Sequence, residues 1–233
     1  FGEPKKFFAI SAGCMDSMVN HYTANKRLRS DDPYSPDGRR GLRPDRTTIV
    51  YSNILKSLYP NVPIVIGGIE ASLRRFAHYD YWDDAYHKSI LVDSKADILI
   101  YGMGEKPISS IIKIMNEGGT IEDLHNIPQI GYLSKTKPID NNVIELPSFN
   151  QCSKDKKISA QTFKIIEEES NKLNQTIICQ KNGDDYVVVN PSFPPMTTEE
   201  IDAIYDLPFT RLPHPKYTGK KIPAFDMIRW SIN

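Results

Sequence analysis

Three short apolar runs, each followed by glycine, constrain the fold of this chain most strongly. They are KFFAI before residues 11–13, VPIVI before 67–68 and ADILIY before 102–104. The runs are brief, rich in β-branched or aromatic residues and not clearly alternating, which is typical of strands covered on both faces of a parallel sheet. The sequence therefore predicts an α/β fold with a Rossmann-like parallel sheet.

Two segments beside these runs have the periodicity of amphipathic helices. Asp45 is the predicted N-cap of the first, which Tyr59 and Pro60 end. Its apolar positions are Val50, Ile54 and Leu58. Pro107 is predicted at the first position of the second helix. Its predicted buried face consists of Ile108, Ile111, Ile112 and Met115.

Strands and helices in this order predict a binding edge. Ligands of an open parallel sheet bind beyond the carboxyl ends of its strands, where glycine lets backbones approach and helix N-termini offer free N–H groups. The loops 11–17, 67–84 and 102–107 are predicted to gather there. A tight turn between strand and helix also needs glycine, so the pattern by itself leaves both interpretations open.

Composition excludes several classes of function. Lys+Arg and Asp+Glu both number 29, so no global positive field attracts nucleic acid. The apolar runs are too short to span a membrane, and a cytoplasmic protein whose true N-terminus is missing is expected. Three widely separated cysteines, Cys14, Cys152 and Cys179, argue against a disulfide framework and against a closed zinc site.

Three local segments contain residue types used in cofactor, metal or anion binding. The run GMGEKP contains G-x-G, but Pro107 stands where a dinucleotide fingerprint needs its third glycine. Metal-ligand side chains crowd residues 78–87 at spacings that match no zinc or calcium motif, so no metal site is predicted. The basic segment 25–46, with seven Lys/Arg and four Asp, is predicted to be a lid or surface loop, with anion binding as the alternative.

Beyond residue 120 the character of the chain changes. Strands are predicted at 130–133 and 143–146, a helix at 159–174 with Phe163, Ile166, Ser170 and Leu173 on one side, and a hairpin around 181–184. Thr197 and Glu200 form a predicted capping box, and a Pro-rich connector leads into a strand-like run at 225–233. Three segments are expected: an incomplete α/β domain (1–135), an α+β extension (136–206), and a connector with the first strand of a missing barrel (207–233).

Several longer runs resemble one known family. They are SAGCMDSMVNHYTANKRLRSDDPYSPDG, RPDRTTIVYSNILK, VIGGIEASLRRFAHYDYWDD, SILVDSKADILIYGMGE and IPAFDMIRWSIN. Together they are similar to the N-terminal region of the YgiQ-type radical SAM proteins over residues 6–233. In that family the segment matching FDMIRWSIN precedes a C-x-x-x-C-x-x-C loop that holds a [4Fe–4S] cluster and S-adenosylmethionine.

The resemblance implies a cobalamin-binding-like α/β domain that packs on its own C-terminal radical SAM domain and is inactive alone. The cluster and S-adenosylmethionine belong to the intact protein, whose substrate is unknown. The D-x-H-x-x-G signature is absent from this chain, so cobalamin is not assigned. Candidate cofactor-binding residues are Gly67, Gly68, Gly104 and Glu105. Candidate residues of a substrate or ligand surface are Asp16, Glu70, Arg74, Arg75 and Asp80.

In this interpretation the glycines permit backbone approach, the arginines bind an anionic group and the acids accept ligand hydroxyls. Alanine at Glu70 and Arg74 is expected to abolish activity without loss of fold. The alternative function is a non-catalytic Rossmann-like module that binds a nucleotide or corrinoid. A third possibility, RNA contact through segment 25–46, predicts strongly salt-dependent binding, and nucleic acid and membrane partners are otherwise not expected.

Overall fold

A computed structural model describes residues 2–139 and 142–230, and its main feature is a mixed seven-stranded sheet. Two further strands form a small antiparallel pair. The strands are β1 (Phe8–Ser11), β2 (Ile64–Gly67), β3 (His78–Asp80), β4 (Ala85–His87), β5 (Ile98–Ile100), β6 (Ile130–Ser134), β7 (Val143–Leu146), β8 (Ile177–Asn182) and β9 (Asp185–Val189). The large sheet has the order β1-β2-β5-β6-β9-β8-β7, and β3 pairs with β4.

The three glycine-ended runs form the parallel part of the large sheet, as predicted. β1 pairs with β2 so that Ser11 lies opposite Gly67, and β2 pairs with β5 through Ile66 and Leu99. β6 is antiparallel to β5 and to β9. The predicted hairpin is β8 and β9, and β7 adds to β8 in parallel.

Helices cover both faces of this sheet. The helices are α1 (Ser17–His21), α2 (Thr47–Leu58), α3 (Gly68–Leu73), α4 (Ile90–Ser94), α5 (Glu105–Asn116), α6 (Phe149–Lys154), α7 (Lys156–Ser170), α8 (Thr198–Tyr205) and α9 (Pro223–Ile228). Ile64 and Ile66 belong to the core cluster that includes side chains of α2, α4 and α7. Val65 points to the other face, where Ile111 of α5 packs, because successive strand residues face opposite sides. The predicted α/β class is confirmed.

The described residues form two compact units. The first comprises residues 1–16 and 46–193 and contains the whole sheet. The second comprises residues 17–45 and 194–233, and it is held together by the bonds from Ala224 N–H to the Pro33 carbonyl (2.8 Å) and from Asp37 N–H to the Lys221 carbonyl (2.6 Å). The boundary expected at 135/136 falls inside the first unit and the one at 206/207 inside the second.

Two helix starts differ from the predicted ones. The N-cap of α2 is Arg46, which has a left-handed backbone and no side-chain capping bond. Asp45 instead accepts hydrogen bonds from the Tyr22 hydroxyl and interacts with the His21 ring. α5 begins at Glu105, two residues before Pro107, which is buried in its first turn.

The predicted apolar faces of three helices are partly wrong. In α2, Ile54 and Leu58 are exposed, while Ile49 and Leu55 contact the core. In α5, Ile112 is exposed and Ile114 packs against the core in its place.

In α7, the predicted Ile166 contacts the core together with Ile165, whereas Phe163 is exposed. Leu173, also predicted on this face, is exposed and lies beyond the end of α7. Successive helix positions differ by about 100°, so apolar residues close together in sequence can lie on different faces.

The C-terminal run was also assigned wrongly. Residues 223–228 are helical rather than the start of a strand, and Pro223 occupies the first turn of α9, where its missing N–H costs nothing. Residues 231–233 of that predicted strand lie outside the described residues. The capping box of Thr197 and Glu200 is confirmed at the start of α8.

The longest described helix, α7, has 15 residues. A membrane-spanning helix needs about 20 mostly apolar residues. Across residues 2–139 and 142–230, no helix is long and apolar enough to cross a bilayer.

Candidate functional site

The carboxyl ends of β1, β2 and β5 lie side by side, as the strand pattern predicted. Gly68 follows β2 with a φ of +83°, a conformation that favours glycine. A Cβ atom at Gly68 would lie 3.1 Å from the Ser11 Oγ, which itself accepts a hydrogen bond from Gly13 N–H. The space that Gly68 leaves open is therefore used by the loop after β1. Gly67 has an extended backbone and serves as the N-cap of α3.

Asp16 and Arg74 form a buried ion pair at this edge. The Nη1 of Arg74 donates to the Oδ2 of Asp16 and also contacts the backbone carbonyl of Glu70 at 3.3 Å. Only 4% of the Asp16 side chain and 14% of the Arg74 side chain are exposed. The two residues, predicted separately as ligand contacts, are thus joined, and each offsets the desolvation of the other.

Glu70 caps a helix. Its Oε1 accepts a hydrogen bond from the Thr48 N–H at 2.8 Å, in the first turn of α2. Arg46 supplies no capping side chain, so the buried Glu70 carboxylate provides the negative group that a helix N-terminus favours. This contact is structural, and it differs from the predicted acceptance of a ligand hydroxyl.

Glu105 is the predicted site residue with unused bonding capacity. It begins α5, after Gly104, which is the N-cap. The Oε2 of Glu105 is buried and has no hydrogen-bond partner among the described residues. Buried carboxylate oxygens are usually paired, so this atom is available to a donor that the structure does not contain. Met103, beside it, is exposed.

Asp80 lies in a separate ionic cluster with Arg46, Asp83 and His87. The Nη2 of Arg46 donates to Asp80 (3.1 Å) and to Asp83 (2.5 Å), and the Nε2 of His87 lies 3.0 Å from Asp83. Burial opposes ionisation of Asp80, but the Arg46 guanidinium and the Trp82 N–H keep its pKa below the usual value.

Ligand atoms of Asp80, Asp83 and His87 lie within 4.8 Å of one another. Their geometry would suit a metal ion, but the Arg46 guanidinium already contacts both carboxylates. The cluster is therefore neutralised from within the chain, and we assign no metal to it.

Arg75 lies apart from Arg74 although the two are adjacent in sequence. Its guanidinium donates to the Ser72 carbonyl (2.8 Å) and the Ser170 Oγ (3.0 Å), and it lies 5.2 Å from the centre of the Tyr101 ring. Burial lowers the pKa of Arg75. No carboxylate of the described residues forms an ion pair with it.

The three cysteines do not form a cluster site. Cys14 is exposed, whereas Cys152 and Cys179 are buried. The sulfur of Cys152 contacts the Thr162 hydroxyl at 3.3 Å, and burial raises the pKa of Cys179 to about 11. Among residues 2–139 and 142–230, no group of three cysteines could hold an iron–sulfur cluster.

Sequence reasoning missed three parts of this region. The segment after Gly68, expected as one loop, contains α3 and the β3–β4 pair. Gln129 was not predicted, yet its side chain donates to the carbonyls of Tyr101 and Met103 and so fixes the loop before Glu105. A glutamine with positive φ after proline gives no sequence signal for such a role.

The chain matches known proteins along its whole length. The family model described as Radical SAM N-terminal matches residues 1–231. A UPF0313 protein of Bacteroides thetaiotaomicron is 56% identical over 100% of this chain and 40% of its own length, and one of Porphyromonas gingivalis is 53% identical over 100% and 37%. A UPF0313 protein of Methanocella arvoryzae is 48% identical over 99% and 38%. No solved structure matches the chain.

This chain therefore spans about two fifths of the length of the curated relatives it matches. The family expected from the motifs is confirmed, since the match covers residues 1–231 and the relatives share about half of all positions. The chain belongs to the Radical SAM N-terminal family.

Proposed function

We propose that this chain is the N-terminal domain of a radical SAM iron–sulfur enzyme, in which it packs on the catalytic domain and shapes a substrate or accessory-ligand site. The observation that carries the proposal is the family match over residues 1–231, combined with relatives that are about two and a half times as long. We also propose a cytoplasmic location for the intact protein.

The described cysteines do not fit a [4Fe–4S] cluster, so residues elsewhere in the intact protein would hold it. Bound there with S-adenosylmethionine, the cluster would supply the radical chemistry after which the family is named. The contribution of this chain is then to bind and orient a ligand and to dock. We assign it no electron-transfer or cleavage step.

Exposed apolar side chains in the second unit support docking. A group of large apolar side chains exposed to solvent usually marks a surface that a partner covers. Those exposed between residues 205 and 230 include Tyr205, Leu207, Phe209, Leu212, Met227 and Trp230. Trp230 is 80% exposed and Met227 78%. We propose that the catalytic domain of the full-length protein covers this apolar surface.

Oxidative footprinting of the full-length protein tests this docking. Met227 and Trp230 should be oxidised several times more slowly in the native protein than after denaturation, because the catalytic domain covers them. Phe163, which is 64% exposed on α7, is the control and should show little protection. If Met227 and Trp230 react as fast as in the denatured protein, the catalytic domain does not pack on this surface.

Replacing all three cysteines tests where the cluster lies. The full-length variant C14S/C152S/C179S should retain the iron and sulfide content of the wild type after anaerobic reconstitution. Loss of iron from a correctly folded variant would show that this chain supplies a ligand, and the division of roles proposed here would be wrong.

Glu105 supports the ligand role of the sheet edge, because its buried Oε2 lacks a partner among the described residues. In the full-length reconstituted protein, a protein-free bacterial metabolite extract should stimulate cleavage of S-adenosylmethionine. Glu105→Gln should lower that stimulation by about tenfold or more, the usual cost of losing a charged hydrogen bond. Glu117→Gln, at the exposed opposite end of α5, is the matched control and should retain it. Equal stimulation in both variants would show that Glu105 does not contact the ligand.

A further inference from the structure

A second part of the sheet edge has the features of an anion site. Arg75, Tyr101, Ser170, Gln175 and Asn190 line a small cleft in the first unit. Thr176, Glu169, Ile178 and Val189 complete its lining. The space in and in front of the cleft is about 250 Å³ including open solvent, so the cleft suits only one small group.

Strand directions place this cleft at the same edge as Gly68 and Glu105. β6 is antiparallel to both β5 and β9, so β5 and β9 run in the same direction. Tyr101 follows the carboxyl end of β5, and Asn190 follows that of β9. Ligands of open α/β sheets bind beyond the carboxyl ends of the strands, and the cleft lies at this edge.

The two charged residues that line the cleft, Glu169 and Arg75, differ in whether their charge is paired. Glu169, the only acid among the lining residues, accepts hydrogen bonds from Lys172 (2.6 Å), from the Thr176 hydroxyl (2.9 Å) and from the Thr176 N–H. Lys172 and these donors outweigh the effect of burial and lower the pKa of Glu169, so it is ionised and neutralised locally. Arg75 has no such ion pair among the described residues, and although Tyr101 and Glu167 favour its charge, burial still lowers its pKa.

Donor geometry also favours an incoming anion. Arg75 has five N–H donors, and its hydrogen bonds to Ser72 and Ser170 use two of them. Ser170 Oγ accepts from Arg75, which leaves its own hydroxyl hydrogen to be donated. The Tyr101 ring beside the guanidinium holds it in one orientation, and a fixed guanidinium loses little freedom when it binds an oxyanion.

We propose that this cleft binds a small oxyanionic group, of phosphate or carboxylate size, between the Arg75 guanidinium and the Ser170 hydroxyl. The bound anion stabilises the buried positive charge of Arg75. Tyr101, whose hydroxyl donates to the Asn190 carbonyl at 2.6 Å, closes one side. The ligand group is thus recognised by charge at Arg75, while Glu105, on the same edge, accepts hydrogen bonds from a neutral part.

Calorimetric titration of the full-length protein with inorganic phosphate, and separately with acetate, tests the cleft. At least one of the two anions should bind saturably, and the comparison distinguishes a phosphate from a carboxylate ligand. Arg75→Gln should weaken binding by about tenfold or more, which corresponds to about 1.4 kcal/mol. Ser170→Ala should weaken it by about threefold, because it removes a neutral donor.

Lys157→Gln is the control, because it removes a positive charge from an exposed position of the first unit that does not line the cleft. Its affinity should equal that of the wild type. Absence of binding by both anions, or unchanged affinity in both Arg75→Gln and Ser170→Ala, would overturn the proposal. Should Arg75→Gln fail to fold, Ser170→Ala decides the question, because Ser170 is exposed at the end of α7. Binding is measured without turnover, so this result is separate from the proposed enzymatic role.

Discussion

The carboxylate of Glu70 caps a helix that lies 22 residues earlier in the chain, by accepting a hydrogen bond from the Thr48 N–H. α3 carries the acid and α2 carries the N–H, so one contact joins the helix after β2 to the helix before it. The carboxylate in the GGIEAS run therefore serves the packing of α3 against α2.

Replacing Glu70 should destabilise the protein rather than affect a ligand. Glu70→Ala removes the acceptor of the Thr48 N–H and should lower the free energy of unfolding by about 1–3 kcal/mol. Glu70→Gln keeps an acceptor oxygen and should cost less. Urea denaturation of both variants measures the difference, and equal stability of Glu70→Ala and the wild type would contradict the capping role.

Arg74→Met should be more costly still. It leaves the buried Asp16 carboxylate without its cation, and breaking a buried ion pair in this way costs about 3–5 kcal/mol. Adding Asp16→Asn should restore part of the stability, because the uncompensated charge is then removed. The free energies of unfolding of both variants check this, and additive losses would show that the pair is not coupled.

These two predictions revise the expected result for the Glu70 and Arg74 double alanine variant. Loss of activity was expected with the fold intact. Because both side chains make buried structural contacts, we now expect loss of stability as well.

Gly67 and Gly68 together test whether the turn after β2 requires a glycine. Gly68→Ala should lower stability by about 1–2 kcal/mol, because alanine at a φ of +83° is strained and its Cβ would crowd Ser11. Gly67→Ala is the control, since its backbone is extended and the nearest atom to a Cβ lies at 3.6 Å. Thermal unfolding of the two variants should differ clearly, and equal midpoints would refute the argument.

Acid should weaken the fold through His78. Burial, together with Arg74 and His87, lowers the pKa of His78 from 6.5 to about 4, although the Phe76 carbonyl and Asp80 oppose the shift. The unfolded chain therefore binds the extra proton first, and the stability present above pH 6.5 is lost as pH falls towards 4.

Between pH 7 and pH 4.5 this loss amounts to about 2 kcal/mol for the one imidazole. His78→Gln cannot take up the proton, so its stability should depend less steeply on pH over that interval. Urea denaturation at several pH values compares the two proteins, and parallel pH profiles would show that His78 is not buried in its neutral form.

Cysteine reactivity should follow burial. Cys14 is exposed, whereas burial raises the pKa of Cys179 to about 11 and so withholds the reactive thiolate. Brief treatment of the native protein with iodoacetamide should modify Cys14 at least ten times faster than Cys152 or Cys179. Peptide mass spectrometry measures the rates, and modification of Cys179 at the rate of Cys14 would contradict its buried position.

Local sequence patterns determined the main elements of this protein. The runs that became β1, β2 and β5 are short, apolar and followed by glycine, which favours strands of a parallel sheet. Gly183 with its neighbours specifies the two-residue turn of the β8–β9 hairpin. The capping box at Thr197 and Glu200 likewise needs only four consecutive residues. In each case the interactions that specify the element lie within a short stretch of chain, so the element can be predicted from the sequence.

Tertiary structure decided the roles of the charged residues. The residue types of Glu70, Arg74 and Arg75 do not distinguish a helix cap, an ion pair and an unpaired guanidinium, because each role depends on a partner distant in the chain. The helix at 223–228 was missed for a related reason, since a short apolar run fits strand and helix equally well until its neighbours are known. The sequence by itself thus determined the strands and turns, whereas long-range packing determined which side chains are committed to the fold and which remain to bind a ligand.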